Sequence, residues 1–370
     1  MRRLAAARRG RHATADGSPD GEIRVFYGQR VPAAHERAVG GIVKLQQLQR
    51  AFANSPDRFN VLYLVSSRLP EEAATLARVA RGRGAKIVVN QNGVAYPAWH
   101  GPGWERVNEP MSELLALADH VFYQSRFCKQ SADRFAGETR APWEILYNAV
   151  DPQRFQPEPS RRDPRALTLL LGGSQDLRYR LEVALNVLAK VARVRPDVRM
   201  LVTGRLPKGR GSGLDDSEAK ILAWQLGVQD RVSFLGPYTQ AEAPGIFQRA
   251  DILLHTKYND PCPTVVIEAM ACGLPVVYSK SGGVPELVGD EAGIGLPSEI
   301  SWERDDPPDS DRMSDAVLEA AARRTEMGEA ARQRAVERFS VNEWVDRHRA
   351  VFTQLLSDDR PAMDNGRAVS

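Results

Sequence analysis

Asp260 and Glu268, two carboxylates with seven residues between them, bracket the most informative stretch of the chain, Asp251 to Pro297. The apolar run Ile-Leu-Leu-His at 252–255 reads as a buried parallel strand, because both faces of such a strand are covered. Asn-Asp-Pro and Cys-Pro follow, and regular elements do not tolerate such breakers. A helix over 264–272 then opens at Thr264, a residue type able to cap free first-turn amides. The amides near Thr264 and Val265, with the positive helix end, make an anion site at the carboxyl edge of a sheet. Asp260 is expected at the mouth of that site. Glu268, one turn further on, is expected to point toward the same crevice. The chemistry available there is electrostatic: holding an anion on preorganised dipoles.

The composite of an acidic residue, a Pro-rich turn and Glu within Glu268-Ala-Met-Ala-Cys-Gly-Leu-Pro-Val-Val277 resembles the family 4 glycosyltransferases of the GT-B fold. Their usual pattern is E-x-F-G-x-x-x-x-E-A-M-A-x-G-x-P-V-V, followed by G-G-x-P-E. Here Asp260 stands for the first Glu, Cys262 and Pro263 replace Phe-Gly, and Gly282-Gly283-Val284-Pro285-Glu286 matches outright. The resemblance spans roughly residues 22–356 and is strongest after Leu167. It implies that Glu268 holds the nucleotide ribose and Asp260 touches the transferred sugar.

Further roles follow from the same resemblance. Gly40-Gly41 precedes a helix over 41–52, and its family counterpart packs over the donor diphosphate. The phosphate clamp departs from the pattern: Ser174 stands where Arg is usual, and Tyr179 or Arg180 where Lys is usual. Arg178 and Arg180 are the nearest substitutes, with Arg205 and Lys208 as weaker ones. Tyr238 lies where the nucleotide base is held, to stack on it or to cover the sheet end. Asn92 replaces a frequent His, and can hydrogen-bond a sugar hydroxyl but not exchange protons near neutral pH. His255 is either a support for the acidic turn or a sugar contact, and Asn148 reads as structural. The implied reaction is retaining transfer from a nucleotide-diphosphate sugar to a glycan or lipid-linked acceptor, without metal or other cofactor. A non-catalytic nucleotide-sugar binder, or a GT-B epimerase or hydrolase, are the alternatives.

Composition narrows the field. A formal charge of +3 over 370 residues does not argue for nucleic acid or a broad membrane patch. Cys128, Cys262 and Cys272 share no metal-ligand spacing, which suits a reduced, cytoplasmic compartment. No apolar run reaches the roughly 18–20 residues of a membrane span, so at most peripheral contact at an inner membrane face is expected. Walker, His-Glu-x-x-His, Gly-x-Ser-x-Gly and Cys-x-x-Cys patterns are absent from the sequence. Asp309-Ser310-Asp311 sits in an acidic Pro-rich stretch and reads as solvated.

Strands alternating with helical patterns must position these residues, and predict parallel sheets with helices on both faces, in a chain long enough for two α/β domains. The resemblance implies that these are Rossmann-like domains whose sheets face across a cleft. Residues 1–21 are expected as a disordered basic tail and 22–150 as the acceptor-side domain, with strands at 22–27, 60–66, 86–90, 120–124 and 144–147. Residues 151–165 form a Pro- and charge-rich linker, expected to be the hinge, with a second crossing near Ser340. Residues 166–340 make the nucleotide-sugar domain, with strands near 167–171, 199–203, 232–235, 252–255 and 276–279. Residues 297–312 read as a surface loop. Ser340 can cap a last helix, 341–356, and 357–370 are expected as a disordered tail. The resemblance of Arg338-Phe339-Ser340 and Trp344 to the family's C-terminal pattern implies that this last helix crosses back onto the first domain.

Overall fold

A computed structural model describes residues 2–14, 22–33, 35–36, 38, 40–163, 165–207 and 213–357. Two all-parallel sheets form, one in each half of the chain. The first holds β1 (Val25–Phe26), β2 (Val61–Val65), β3 (Lys86–Gln91), β4 (His120–Tyr123) and β5 (Trp143–Ile145), paired in that order. Alternation along β2 sends Val61, Tyr63 and Val65 to one face and Leu62 and Leu64 to the other. The odd positions pack against helices Gly41–Leu48 and Val341–Ser357, the even ones against Ala73–Arg81 and Trp104–Leu117.

The second sheet runs β11-β10-β9-β6-β7-β8. Its strands are β6 (Leu167–Leu171), β7 (Val198–Thr203), β8 (Val232–Gly236), β9 (Ile252–His255), β10 (Val276–Ser279) and β11 (Gly293–Leu296). Strand order reverses between β6 and β9, and at such a switch point the connecting loops diverge and leave a crevice at the strands' carboxyl ends. The loops after β6 and β9 are therefore the ones that can hold a ligand.

Helix Val341–Ser357 packs on the first sheet. Trp344 and Phe352 join its core, and the Tyr63 hydroxyl meets His348 Nε2 at 3.0 Å. The crossing is pinned by Val150 N donating to Phe339 O at 2.8 Å and Val341 N donating to Val150 O at 2.9 Å. No side-chain bond from Ser340 caps the helix; its carbonyl accepts from Trp344 N.

Several expectations differ from the structure. Arg2–Gly10, read as part of a solvated tail, is a helix packed on Ala73–Arg81. Ala6 and Gly10 are its buried contacts, and a Cβ at Gly10 would lie 2.8 Å from Val79 Cβ. Ala6 and Gly10, four residues apart on one face, thus let the two helices approach closely. The linker is not a free hinge: Phe155 sits in the second core, and Arg332 donates to Phe155 O, Pro152 O and Ala271 O. Residues 358–370 lie outside the described residues, as does Lys208.

Candidate active site

The turn between β9 and helix Thr264–Ala271 carries Asp260 into the crevice. Its irregular path is bolted from several sides. Asn259 adopts a left-handed φ of 48°, donates its backbone N–H to Ser281 Oγ at 3.0 Å, and donates its Nδ2 to Ser301 O at 3.0 Å. Tyr258 N donates to the Tyr179 hydroxyl at 3.1 Å. Asn148, from the interdomain crossing, donates Nδ2 to Cys262 O at 2.6 Å, which gives this residue its structural role.

Glycines admit the turn to its seat. A Cβ on Gly283 would meet Pro261 O at 1.9 Å, and one on Gly282 would meet Asp260 O at 2.5 Å. Gly172 makes the matching allowance on the other wall of the crevice, where a Cβ would lie 2.3 Å from Val265 Cγ2. The loop after β6 and the start of helix Thr264–Ala271 are therefore in contact. The helix begins after Pro263 and has no side-chain cap, so Thr264 is its first residue rather than its cap. Its first-turn amides lack the hydroxyl acceptor expected from the sequence.

Asp260 is buried among positive and polar groups. His255 Nε2 lies 3.4 Å from one carboxylate oxygen and Lys257 Nζ 3.4 Å from the other. Burial alone would raise its pKa, but Lys257, His255 and Arg180 together outweigh that and hold the carboxyl well below its usual range. Burial depresses the His255 pKa although Asp260 pulls it up, so the imidazole is a neutral orienting group. Lys257 was not singled out in the sequence, and its signal there, a Lys three residues before the acid, is faint.

Glu268 meets a different environment. It is 3% exposed, and burial raises its pKa to about 8, with Gln240 and Arg154 pulling the other way. Tyr238 packs into the same core, and its hydroxyl pKa is raised by burial and then by the nearby Glu268 charge. A carboxyl and a phenol thus share one edge of the crevice.

The two arginines separate. Arg178 turns outward, pairing with Glu182 at 2.7 Å and Glu218 at 3.8 Å, so it does not join the site. A first-turn residue of helix Arg178–Val194 follows the helix surface, where the i+4 glutamate is the nearer partner. Arg180 turns inward, 4% exposed, and donates to Gly172 O at 2.9 Å and to Ser174 O. Arg205 is exposed and paired with Asp176 at 2.9 Å.

Gly40 has φ 50° with open space where a Cβ would stand, whereas a Cβ at Gly41 would meet Val65 Cγ1 at 2.7 Å. One glycine shapes the loop and the other lets the helix sit on the end of β2. Asn92 is committed within its own domain: its Oδ1 accepts from Lys44 Nζ at 2.7 Å and its Nδ2 donates to Ser67 Oγ at 2.6 Å. A sugar contact from Asn92 would have to displace one of these bonds.

Two clasps join the domains across the crevice. Glu286, of the Gly-Gly-x-Pro-Glu segment, accepts from the backbone N–H groups of Arg126 at 2.9 Å and Phe127 at 3.0 Å, and from the Tyr147 hydroxyl at 3.1 Å. It thereby satisfies the free amides at the start of first-domain helix Arg126–Phe135. Trp302, in the stretch expected to be a surface loop, is buried against Phe127, Tyr96 and Phe135 at ring separations of 5.1–5.3 Å. Its carbonyl accepts from Ala98 N at 2.8 Å. An acidic, Pro-rich composition masks a lone aromatic anchor. Trp302→Ala should remove the largest apolar contact of this clasp and leave both sheets folded. Small-angle scattering should then show a larger radius of gyration than wild type, and an unchanged radius would show that Glu286 and the crossing strands suffice.

Residues 153–334 match the model for "Glycosyl transferases group 1". Similar curated proteins include the D-inositol 3-phosphate glycosyltransferase of Mycolicibacterium smegmatis, 27% identical over 67% of this chain and 56% of that protein. The phosphatidylinositol N-acetylglucosaminyltransferase gpi3 subunit of Schizosaccharomyces pombe is 26% identical over 57% of this chain and 42% of that protein. The chain spans about half the length of these relatives. Among solved structures, Anabaena Alr3699/HepE in complex with UDP superposes with a TM-score of 0.64 at 19% identity, covering 84% of this chain and 81% of that one. A glycosyltransferase from Rickettsia africae gives 0.64 at 15% identity, with 95% of each chain covered. Two parallel sheets facing across a crevice are the GT-B arrangement of these neighbours, and residues 153–334, which make most of the second domain, carry the group 1 glycosyltransferase match.

Proposed function

We propose that the protein is a retaining, metal-independent glycosyltransferase that moves a sugar from a nucleotide-diphosphate sugar to a glycan or lipid-linked acceptor. The observation that carries the reading is Glu268, a buried carboxyl on the helix that follows the Asp260 turn and whose start packs on Gly172 of the loop after β6. A carboxyl in so dry a place is costly unless a ligand's hydroxyls come to it, and a ribose diol is such a ligand. Asp260, held ionised, is the group to fix a sugar hydroxyl. Arg180 and the helix amides answer the diphosphate charge.

In the first domain, the cluster bonded around Lys44 and Asn92 consists of amides, hydroxyls and an ammonium: Asn90, Asn92, Gln124, Ser66, Ser67 and Lys44. This set suits a scheme in which the departing phosphate itself accepts the acceptor's proton, on the face it leaves, so that configuration is retained. The reaction would take place at a cytoplasmic membrane face or in solution there. No helix among the described residues is long and apolar enough to cross a membrane.

The test is transfer from labelled nucleotide sugars to a panel of glycan and lipid-linked acceptors, run with and without excess EDTA. Transfer should persist in EDTA, with the donor's anomeric configuration kept in the product. Free sugar or an epimer as the main product would replace transfer by hydrolysis or epimerisation. Loss of activity in EDTA, restored by Mg²⁺ or Mn²⁺, would overturn metal independence, and tight donor binding with no turnover would make the protein a binder.

A further inference from the structure

Lys44 is a buried cation that the donor side of the site does not explain. It lies one turn into helix Gly41–Leu48 and is 5% exposed. Its Nζ donates to Asn90 Oδ1 at 2.8 Å, Asn92 Oδ1 at 2.7 Å and Gln124 Oε1 at 2.6 Å. Among the described residues no carboxylate pairs with it. Three amide oxygens satisfy its protons but bring no negative charge, so much of the cost of burying the ammonium is left standing.

The titratable groups packed around Lys44 do not compensate it either. These are Cys128 of helix Arg126–Phe135, Cys262 of the acidic turn and His348 of the last helix. Burial pushes the Cys128 thiol up to about 12 and the Cys262 thiol higher still, and it drives His348 down to about 3. All three are neutral at physiological pH. Burial likewise lowers the Lys44 pKa to about 8, with Cys262 and Cys128 pulling up.

Its place gives the charge a use. Lys44 sits at the carboxyl ends of β3 and β4, in the helix that Gly40-Gly41 opens toward the crevice, and close enough to feel Cys262 of the opposite domain. Arg180 is its counterpart on the other wall, a buried guanidinium hydrogen-bonded to two carbonyls. Each wall therefore holds a buried cation with no carboxylate in contact.

We infer that Lys44 supports donor binding as the first domain's positive charge for the bound diphosphate, acting through its field across the closed crevice. The inference rests on the nucleotide-sugar reading of the site. Because its three protons are committed to amides, Lys44 acts by proximity rather than direct contact. Its effect is felt when the domains are together.

UDP is the probe, with binding measured by calorimetry at pH 7, 8 and 9 in two buffers of different ionisation enthalpy. Wild type should bind, and should take up protons at pH 8 as the arriving anion favours the charged ammonium. Lys44→Met should fold, bind UDP roughly 10- to 100-fold more weakly at pH 7, and lose that share of proton uptake. Glu268 also titrates near pH 8, so the difference between wild type and variant is the quantity to read. Lys44→Arg stays charged at every pH tested and should lose less affinity than wild type as pH rises above 8. This second variant decides the matter if Lys44→Met does not fold. Equal affinity and equal uptake in wild type and Lys44→Met, or the same pH profile in wild type and Lys44→Arg, would overturn the inference and leave the donor reading intact. Failure of wild type to bind UDP or any other nucleoside diphosphate would remove the donor reading itself.

Discussion

Replacing Glu268 by Gln is expected to cost transfer roughly 100- to 1,000-fold, the range for removing a preorganised polar group from a dry site. The same variant should be more stable than wild type, and increasingly so as pH rises. The reason is the environment of the carboxyl: burial raises its pKa to about 8 from an ordinary 4.5. The folded state therefore holds this proton more tightly than the unfolded chain does. Between those two values the unfolded state binds fewer protons, so stability falls as pH rises, on the order of 1.4 kcal/mol per pH unit. The penalty is absent below about pH 4.5 and complete above about pH 8. Gln has no such ionisation and keeps similar shape. Chemical denaturation of both proteins at pH 5, 7 and 9 should show a gap that widens upward, while transfer assays show the loss. A variant with near wild-type turnover would take Glu268 out of the site, and a gap that does not move with pH would show that the carboxyl finds a cationic partner.

Gly283→Ala should be the most damaging glycine substitution near the site. Its backbone φ of −92° suits any residue, so the cost is not conformational. It is steric: the new methyl would stand 1.9 Å from Pro261 O and 2.9 Å from Ser125 Oγ. The carbonyl belongs to the residue after Asp260, and Gly283 N also donates to Asp260 O at 2.9 Å. Relief of the clash must move the acidic turn away from β10 or push the domains apart at Ser125. A destabilisation of about 1–3 kcal/mol is expected. Activity should fall further than that loss of stability explains, because the carboxylate is displaced in the protein that remains folded. Gly82→Ala is the control: its φ is −63° and the nearest atom to a new Cβ lies at 3.4 Å, so it should be close to neutral. If Gly283→Ala behaves like Gly82→Ala in denaturation and in kcat/KM, close packing does not place Asp260.

The parallel strands were legible because fully covered strands write themselves as unbroken apolar runs. Leu167–Leu171 and Ile252–His255 were read at their observed bounds, while β11, with two glycines in four residues, was not. Asp260 and Glu268 stood out through type and spacing because they share one turn and the helix that follows it, where neighbours in sequence are neighbours in space. That Gly283 serves Asp260 is a contact across two loops, and only the packed turn shows it.

The parts decided by tertiary structure are those where one residue answers another far along the chain. Arg178 and Arg180 are equivalent as letters, but the helix turns one to Glu182 and Glu218 and the other under Gly172. Trp302 lies in a stretch whose acidic and proline content reads as solvent, and its burial depends on Tyr96, Phe127 and Phe135 from the other domain. Lys44 needs Asn90, Asn92 and Gln124, which lie 46 to 80 residues away. Short-range pattern reports which elements form and where a local motif can hold an anion. Which charges are buried, and against what, depends on how separate elements pack, because burial and pairing are properties of the assembled interior rather than of any segment.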